Sequence, residues 1–283
     1  MKTALCDQKS LQDKKTRRSP FRVLITGGGC VEKIDDVRAI TNTSSGKTAL
    51  LIARVIKALN PAAAITYLMA ERAVQPKIAE TSGKTKTAGG KAETTGKTKT
   101  AGGKAETTGK AKTAGAASND CDSVYNFSSC ADLQKLLRAE LSANKYDLLF
   151  HAAAVSDYSV QSLVVDGKEF KPGRVAKITG AKNVRVNLKL NPKLLAEIPA
   201  LAKKKNKSAV VVGFKLTSNA SDAEREAAVQ KLFAEKNPPD FVISNDLSEI
   251  TPKSHPCVLW RAGVAIARGQ IQTIVRKIYA FNS

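Results

Sequence analysis

Between Thr26 and Lys47 the chain reads TGGGCVEKIDDVRAITNTSSGK. Glycine lets backbone amides approach phosphate oxygens closely, and a Ser-Ser-Gly turn at a helix start adds amide donors and the positive end of the helix dipole. Arg38 has the fork geometry to grip a phosphate through two parallel hydrogen bonds, and Asn42 carries a donor for a developing oxyanion. A plain glycine turn and helix cap would read the same way, so this segment alone leaves both readings open. Four further segments carry chemistry-bearing types. Ala152 to Tyr158 (AAAVSDY) sets small residues and then Asp157 at a strand end, where a ligand can come close. Pro172 to Ile178 (PGRVAKI) offers Lys177 in a polar stretch, with Leu188-Lys189-Leu190-Asn191-Pro192 beyond it. Gly213 to Thr217 (GFKLT) and Ser244-Asn245-Asp246 complete the set. Each taken singly also suits a tight sheet–helix contact or solvated surface.

Several familiar patterns fail. The glycines after Thr26 suggest a dinucleotide fingerprint, but the position three after Gly29 is Glu32 rather than glycine. No tyrosine is followed four residues later by lysine, which weakens a short-chain dehydrogenase. Gly46-Lys47-Thr48 resembles the end of a P-loop, yet the required earlier glycine position holds Thr41. The chain has two histidines, His151 and His255, far apart in sequence. His151 falls inside a buried strand pattern and is expected to be a satisfied core residue. Histidine-based metal or triad chemistry therefore has little support, and no acidic metal cluster is readable.

These segments need elements to position them. Phe21 to Thr26 reads as a buried strand ending at Gly27-Gly28-Gly29, and apolar residues at three- and four-residue spacing predict a helix over 45–59. Strands are expected at 62–68, 124–127, 147–155, 209–216 and 241–244, with helices at 130–143, from Asn191-Pro192 to about 204, at 221–236 and at 270–280. Ser129 is the expected cap of the second helix. Residues 257–268 read as a hairpin turning at Gly263. Strands separated by helices of 10–15 residues predict an α/β fold: a Rossmann-like, doubly wound, mostly parallel sheet with helices on both faces. In such sheets ligands bind beyond the carboxyl ends of the strands, and all but one of the segments above fall there.

Composition sets bounds. The 283 residues are 42% hydrophobic and 25% charged, which suits a globular chain with a sizeable core. No run of about 18 apolar residues suggests a spanning helix, so no membrane partner is expected, and the first residues do not resemble a secretory signal. Five cysteines without C-x-x-C spacing point to a reducing compartment, and a cytoplasmic location is expected. The net charge of +21 invites a nucleic-acid reading. About half of it, however, sits in residues 1–20, read as a flexible basic N-terminus, and in residues 83–115. Residues 96–108 repeat GKTKTAGGKAETT of 83–95 letter for letter, with no Val, Ile, Leu or aromatic residue in 83–115. Such a segment cannot offset its ordering entropy, roughly 1–2 kcal/mol per residue. The stretch from about 80 to 118 is accordingly read as a disordered insertion in a domain spanning 21–283. Aromatics are only 5% and do not interleave with the basic residues, so no base-stacking platform is visible and no nucleic-acid partner is expected.

Together and in order, the five segments resemble the phosphopantothenoylcysteine synthetase family. Its pattern of a Gly-Gly loop, D-x-V-R, a three-residue gap and N-x-S-S-G-(K/R) is met by Gly28-Gly29, Asp35/Asp36-Val37-Arg38 and Asn42-Thr43-Ser44-Ser45-Gly46-Lys47. A-A-V-S-D is met at Ala153 to Asp157, the flap lysine at Lys177-Ile178, the nucleotide-loop phenylalanine at Phe214 and the strand-ending asparagine at Asn245. Two departures are Cys30, where the family usually has Thr, and Thr48-Ala49, which replaces a helix-start glycine. The resemblance implies a ligase of coenzyme A biosynthesis that condenses 4′-phosphopantothenate with L-cysteine through an acyl-nucleotide. It implies ATP, as in the free-standing eukaryotic type, or CTP, as co-substrate with Mg2+, and a homodimer. With only about 20 residues before the first strand, the flavin-dependent decarboxylase half of many bacterial members is expected to be missing. Gly28, Ser44 and Gly46 would cradle the triphosphate, and Phe214 and Asn245 the base and ribose. Ala153, Ala154 and Asp157 would receive pantothenate. Arg38 would bind its phosphate across the dimer interface, Asn42 would stabilise charge at the reacting carbonyl, and Lys177 would offset charge at the α-phosphate. The rival readings are an NAD(P)-dependent Rossmann-fold oxidoreductase and a basic nucleic-acid-binding protein.

Overall fold

The first strand, β1 (Arg22–Gly27), is buried along almost its whole length. Apolar runs without alternation make strands covered on both faces, and this one lies near the middle of a nine-stranded sheet. The computed structural model describes residues 19–77, 86–87, 119–173 and 178–282. Residues 1–18, Lys177 and the repeat insertion apart from Lys86–Thr87 lie outside the described residues.

After β1 come a short hairpin, β2 (Val31–Lys33) and β3 (Ala39–Thr41), then α1 (Lys47–Leu59) and β4 (Ala64–Ala70). β5 (Lys86–Thr87) precedes β6 (Ser123–Phe127), α2 (Cys130–Ala143) and β7 (Leu148–His151). An antiparallel sheet follows from β8 (Tyr158–Val165), β9 (Lys168–Phe170) and β10 (Val184–Leu190). The chain then runs through α3 (Leu194–Lys205), β11 (Val210–Thr217), α4 (Asp222–Phe233) and β12 (Phe241–Asp246). It finishes with the hairpin β13 (Pro256–Arg261) and β14 (Val264–Gln270) and helix α5 (Ile271–Ala280).

The large sheet has the order β14-β13-β12-β11-β7-β1-β4-β6-β5. From β5 to β12 neighbours are parallel, and the last hairpin adds two antiparallel strands at one edge. The chain winds outward from β1 to β6, then returns to β7 on the other side of β1. The strand order therefore reverses between β1 and β7, which is where doubly wound sheets open a ligand crevice. Right-handed crossovers place α1 and α5 on one face, in mutual contact, and α2, α3 and α4 on the other. The expected α/β architecture is thus present.

Local signals account for the element starts. Ser129 accepts from the Asp132 backbone while the Asp132 carboxylate accepts from the Ser129 N–H, a reciprocal cap at the start of α2. The β13–β14 turn places Ala262 at φ 49° and Gly263 at φ 79°, the left-handed pair that a tight hairpin requires. The ends of the insertion are pinned together: Asp120 donates its N–H to the Lys77 carbonyl at 2.8 Å, and the Lys77 N–H donates to the Asp120 carboxylate at 2.8 Å. Arg54 of α1 holds the same carboxylate at 3.0 Å. The antiparallel sheet of β8, β9 and β10 and the β2–β3 hairpin were not among the expected elements. The polar stretch around Pro172–Asn191 thus contains regular structure, with β10 paired along its whole length to β8.

Candidate active site

The carboxyl ends of β1 and β7 are stitched together beyond the sheet. Ala152 donates to the Thr26 carbonyl, Ala154 to that of Gly28, and Cys30 to that of Ala154, at 3.2, 2.9 and 3.1 Å. The Thr26 hydroxyl accepts the Ala153 N–H at 3.1 Å and meets His151 Nδ1 at 3.0 Å. His151 is buried, and burial lowers its pKa to about 4, so it is neutral at physiological pH. His151 is thus buried and hydrogen-bonded as expected, though it also forms part of the wall of the cleft beyond the sheet. Burial pushes the Cys30 thiol up to about 12, so it supplies no thiolate.

Two glycines in this region have left-handed backbones that other residues resist. Gly28 sits at φ 88°, and a Cβ there would lie 2.6 Å from the Ala70 Cβ. Gly46 sits at φ 73°, where a Cβ would lie 2.9 Å from the Ala73 Cβ and 3.4 Å from the Gly28 nitrogen. The two turns therefore touch, as the spacing of the motif requires. Gly46 is also the N-cap of α1 and offers no side-chain acceptor, and the first turn has no acidic residue. The leading amides of α1 and the positive end of its dipole are left for an external anion.

These turns open onto a cleft of about 1270 Å³ along the carboxyl edge of the sheet. Its walls bring together Asn42, Ser44 and Gly46 from the first segment, Ala153, Ala154 and Asp157 from the second, Phe214 from β11 and Asn245 from β12. Asn42 Nδ2 reaches the Val155 carbonyl at 3.5 Å, across the gap between the first two segments. Gly28 lies beneath Gly46 and does not itself line the cleft. Five lysines line it (Lys47, Lys193, Lys215, Lys231 and Lys253) against two acids, Asp157 and Glu235. That excess of positive charge favours an anionic occupant. Exposed apolar surface from Leu216 and Leu247, near Phe214, suits a flat ring system.

Arg38 stands elsewhere. It lines a separate hollow of about 340 Å³ with Ile34, Ile178 and Val184, and its guanidinium pairs with Asp35 at 2.9 Å. Lys177 lies outside the described residues, so nothing places it relative to the cleft. Sequence reasoning passed over Lys193, took in Lys215 only as part of the Gly213–Thr217 segment and gave His255 no role. Asn245 Nδ2 lies 2.9 Å from His255 Nε2, ten positions on in a loop. No spacing rule links the two, whereas Lys193 directly follows Asn191-Pro192 and Lys215 lies within Gly213–Thr217, both already singled out. Asp246 is fixed by hydroxyl donation from Ser248 and Thr217 and by backbone donors, which hold its carboxyl well below the usual range despite burial. It ties the loop after β11 to the loop after β12, whose Leu247 and Ile250 line the cleft. Among the described residues no group of three or more metal-ligating side chains occurs, and no helix is long and apolar enough to cross a membrane.

Fold and cleft define a doubly wound α/β protein with a positively charged cleft at the carboxyl edge of its sheet. The chain belongs to the family described as the DNA/pantothenate metabolism flavoprotein C-terminal domain, which matches residues 19–100 and 108–256. The coenzyme A biosynthesis bifunctional protein CoaBC of Thermococcus kodakarensis is 25% identical over 238 residues, 84% of this chain and 44% of that protein. CoaBC of Methanocaldococcus jannaschii is 25% identical over 228 residues, 81% of this chain and 41% of that protein. The chain thus spans less than half the length of these relatives. The DNA/pantothenate metabolism flavoprotein of Streptococcus pneumoniae shares the fold at TM-score 0.65 and 20% identity, covering 92% of this chain and 99% of that one. A Cab2 mutant in complex with phosphopantothenate-cysteine does so at TM-score 0.59 and 15% identity, covering 93% and 86%.

Proposed function

We propose that this protein is a phosphopantothenate–cysteine ligase: it joins 4′-phosphopantothenate to L-cysteine through an acyl-nucleotide, releasing pyrophosphate and then the nucleoside monophosphate. The observation that carries this reading is the meeting, in one cleft, of the left-handed Gly46 turn at an uncapped helix start, backed by the Gly28 turn beneath it, with the small-residue loop Ala153–Asp157. Membership of the pantothenate-metabolism family gives that meeting its chemical sense.

A carboxylate is a poor acyl donor, so it must first be activated. In this reading the amides of Gly46 and the start of α1, with Ser44, hold the triphosphate of ATP, or of CTP as the alternative. Phe214 and Asn245 receive base and ribose. Ala153, Ala154 and Asp157 receive the amide and hydroxyl groups of pantothenate, which brings its carboxylate toward the α-phosphate. Asn42, beside the Val155 carbonyl, donates to the oxygen that gains charge when the cysteine amine attacks the acyl-nucleotide. Lys177 would offset charge at the α-phosphate. Magnesium, when bound with the nucleotide, would screen the charge of the triphosphate.

The active unit is read as a homodimer. Arg38 lies outside the cleft of its own subunit, which suits an arginine that serves the partner's substrate phosphate. Beside its hollow, β10 exposes Val184, Leu188 and Leu190, the last at 74%, and a second copy would cover this apolar stripe. A cytoplasmic site of action fits the buried, unpaired Cys30, Cys121, Cys130 and Cys257.

The test is incubation of the protein with phosphopantothenate, cysteine and either ATP or CTP, followed by mass spectrometry. Phosphopantothenoylcysteine should form with one nucleotide in preference to the other. Absence of the amide product with both would refute the reading.

A further inference from the structure

The carboxylate of Asp35 is buried, yet it is approached from four directions. Oδ1 accepts the backbone N–H groups of Val37 and Arg38 at 2.8 and 2.6 Å. Oδ2 accepts Arg38 Nη1 at 2.9 Å and the N–H of Ile178 at 3.3 Å. Arg38 closes the ring by donating Nη2 to the Ile178 carbonyl at 2.9 Å. One residue earlier, the Ile34 carbonyl accepts the Gly173 N–H at 3.3 Å. A single hairpin turn thus holds the backbone on either side of residues 174–177. Burial alone would push the Asp35 carboxyl up, but these donors and the Arg38 charge outweigh it and leave it lowered and ionised.

The hollow around Arg38 is otherwise made of Ile34, Ile178, Gly180, Ala181, Val184 and Val186. Arg38 is therefore its charged member. Among the described residues its guanidinium makes two hydrogen bonds, to Asp35 and to Ile178. That leaves Nε and an outer hydrogen on each terminal nitrogen for an anion. A guanidinium fixed on one edge by a carboxylate loses little rotamer freedom when its other edge binds a phosphate.

We propose that Asp35 is a positioning residue for the substrate phosphate: it fixes Arg38 in its binding rotamer and, through the same carboxylate, couples the phosphate site to the backbone of Ile178. This rests on the reading of Arg38 as the phosphate ligand of a phosphopantothenate–cysteine ligase. Asp35 touches no substrate, and its contribution passes through Arg38.

The experiment compares the full-length wild type, Asp35→Asn and Arg38→Ala in steady-state kinetics with phosphopantothenate and with pantothenate, which lacks the phosphate. Both variants should raise KM for phosphopantothenate tenfold or more and lose most of the preference for the phosphorylated substrate. KM for nucleotide and for cysteine should stay within twofold. If Arg38→Ala loses the preference while Asp35→Asn keeps it, the positioning role is overturned and the reading of Arg38 stands. An equal rise in all three KM values in Asp35→Asn, with a lowered Tm, also overturns it, since support of the fold alone predicts that pattern. If Arg38→Ala keeps the preference, the phosphate-site reading fails and takes the proposal with it. A second measurement needs no variant: in the wild type, phosphopantothenate should shift the Ile178 amide resonance together with the Arg38 Nε resonance, and pantothenate should shift neither. An Ile178 amide that stays in place while Arg38 responds overturns the coupling even if Asp35→Asn does not fold.

Discussion

At the scale of single residues, Asn42 and His151 sit within one small region and answer to different physics. Asn42 presents its amide across the gap to the Val155 carbonyl. A donor aimed at developing charge contributes about 2.7–4 kcal/mol, or roughly 10²–10³ in rate. Asn42→Asp replaces the donor with a negative charge, so amide formation should fall by at least that factor. A coupled pyrophosphate assay and product mass spectrometry measure it, and unchanged turnover would remove Asn42 from the chemistry. His151 contributes to stability. Its folded pKa of about 4 lies below the ordinary 6.5, so the unfolded chain binds its proton more readily. Stability from this site is complete above pH about 6.5 and is lost as pH falls toward 4, by about 3 kcal/mol in all. Urea unfolding at pH 7 and pH 4.5 should show a smaller acid loss in His151→Gln than in the wild type. Equal losses would place the acid sensitivity in other groups.

At the scale of elements, legibility followed burial. Strands such as β1 and β7 are apolar on both faces because both faces are covered, and such runs announce themselves. Helices with one apolar stripe, such as α1 and α5, did so as well. The antiparallel sheet escaped notice for a different reason. β10 alternates Val184, Val186, Leu188 and Leu190 with polar residues, a strand signal in plain view, but its role as a pairing strand depends on β8, whose partners lie 19 to 32 residues upstream. The glycine motif identified the close-packed turns, which are short-range. The separation of Arg38 from the cleft was not readable in the residues, because it depends on how the β2–β3 hairpin leans on Ile178. The apolar stripe of β10 carries its own prediction. Leu190→Glu with Leu188→Glu should convert a dimer to monomers in sedimentation velocity and reduce ligase activity, while far-UV circular dichroism stays unchanged. A double variant that remains dimeric and active would assign that stripe no role in assembly.

At the scale of the whole molecule, the cleft lies along one edge of the sheet, and the repeat of residues 83–108 is read as an insertion in the domain. Deletion of residues 83–115 removes the duplicated 13-residue unit and the two-residue strand β5 at the far end of the sheet, opposite the last hairpin. Activity should remain largely intact and Tm should move by no more than a few degrees. A collapse of the circular dichroism spectrum on deletion would show that the segment supports the fold. The same deletion removes eight lysines and two glutamates, +6 of the +21 charge, so any charge-driven retention on nucleic acid should weaken in that variant while catalysis does not.

The clasp of Lys77 to Asp120 has a consequence for heredity. Because departure and return occur at one fastened point, copies added beyond β5, which pairs with β6, would reach the domain through the entropy of closing a loop, and doubling a flexible loop costs about 0.6 kcal/mol. Tandem copies gained or lost by slippage during replication would then pass almost unselected, and natural variants of this gene should differ in copy number there before they differ in the glycine turns.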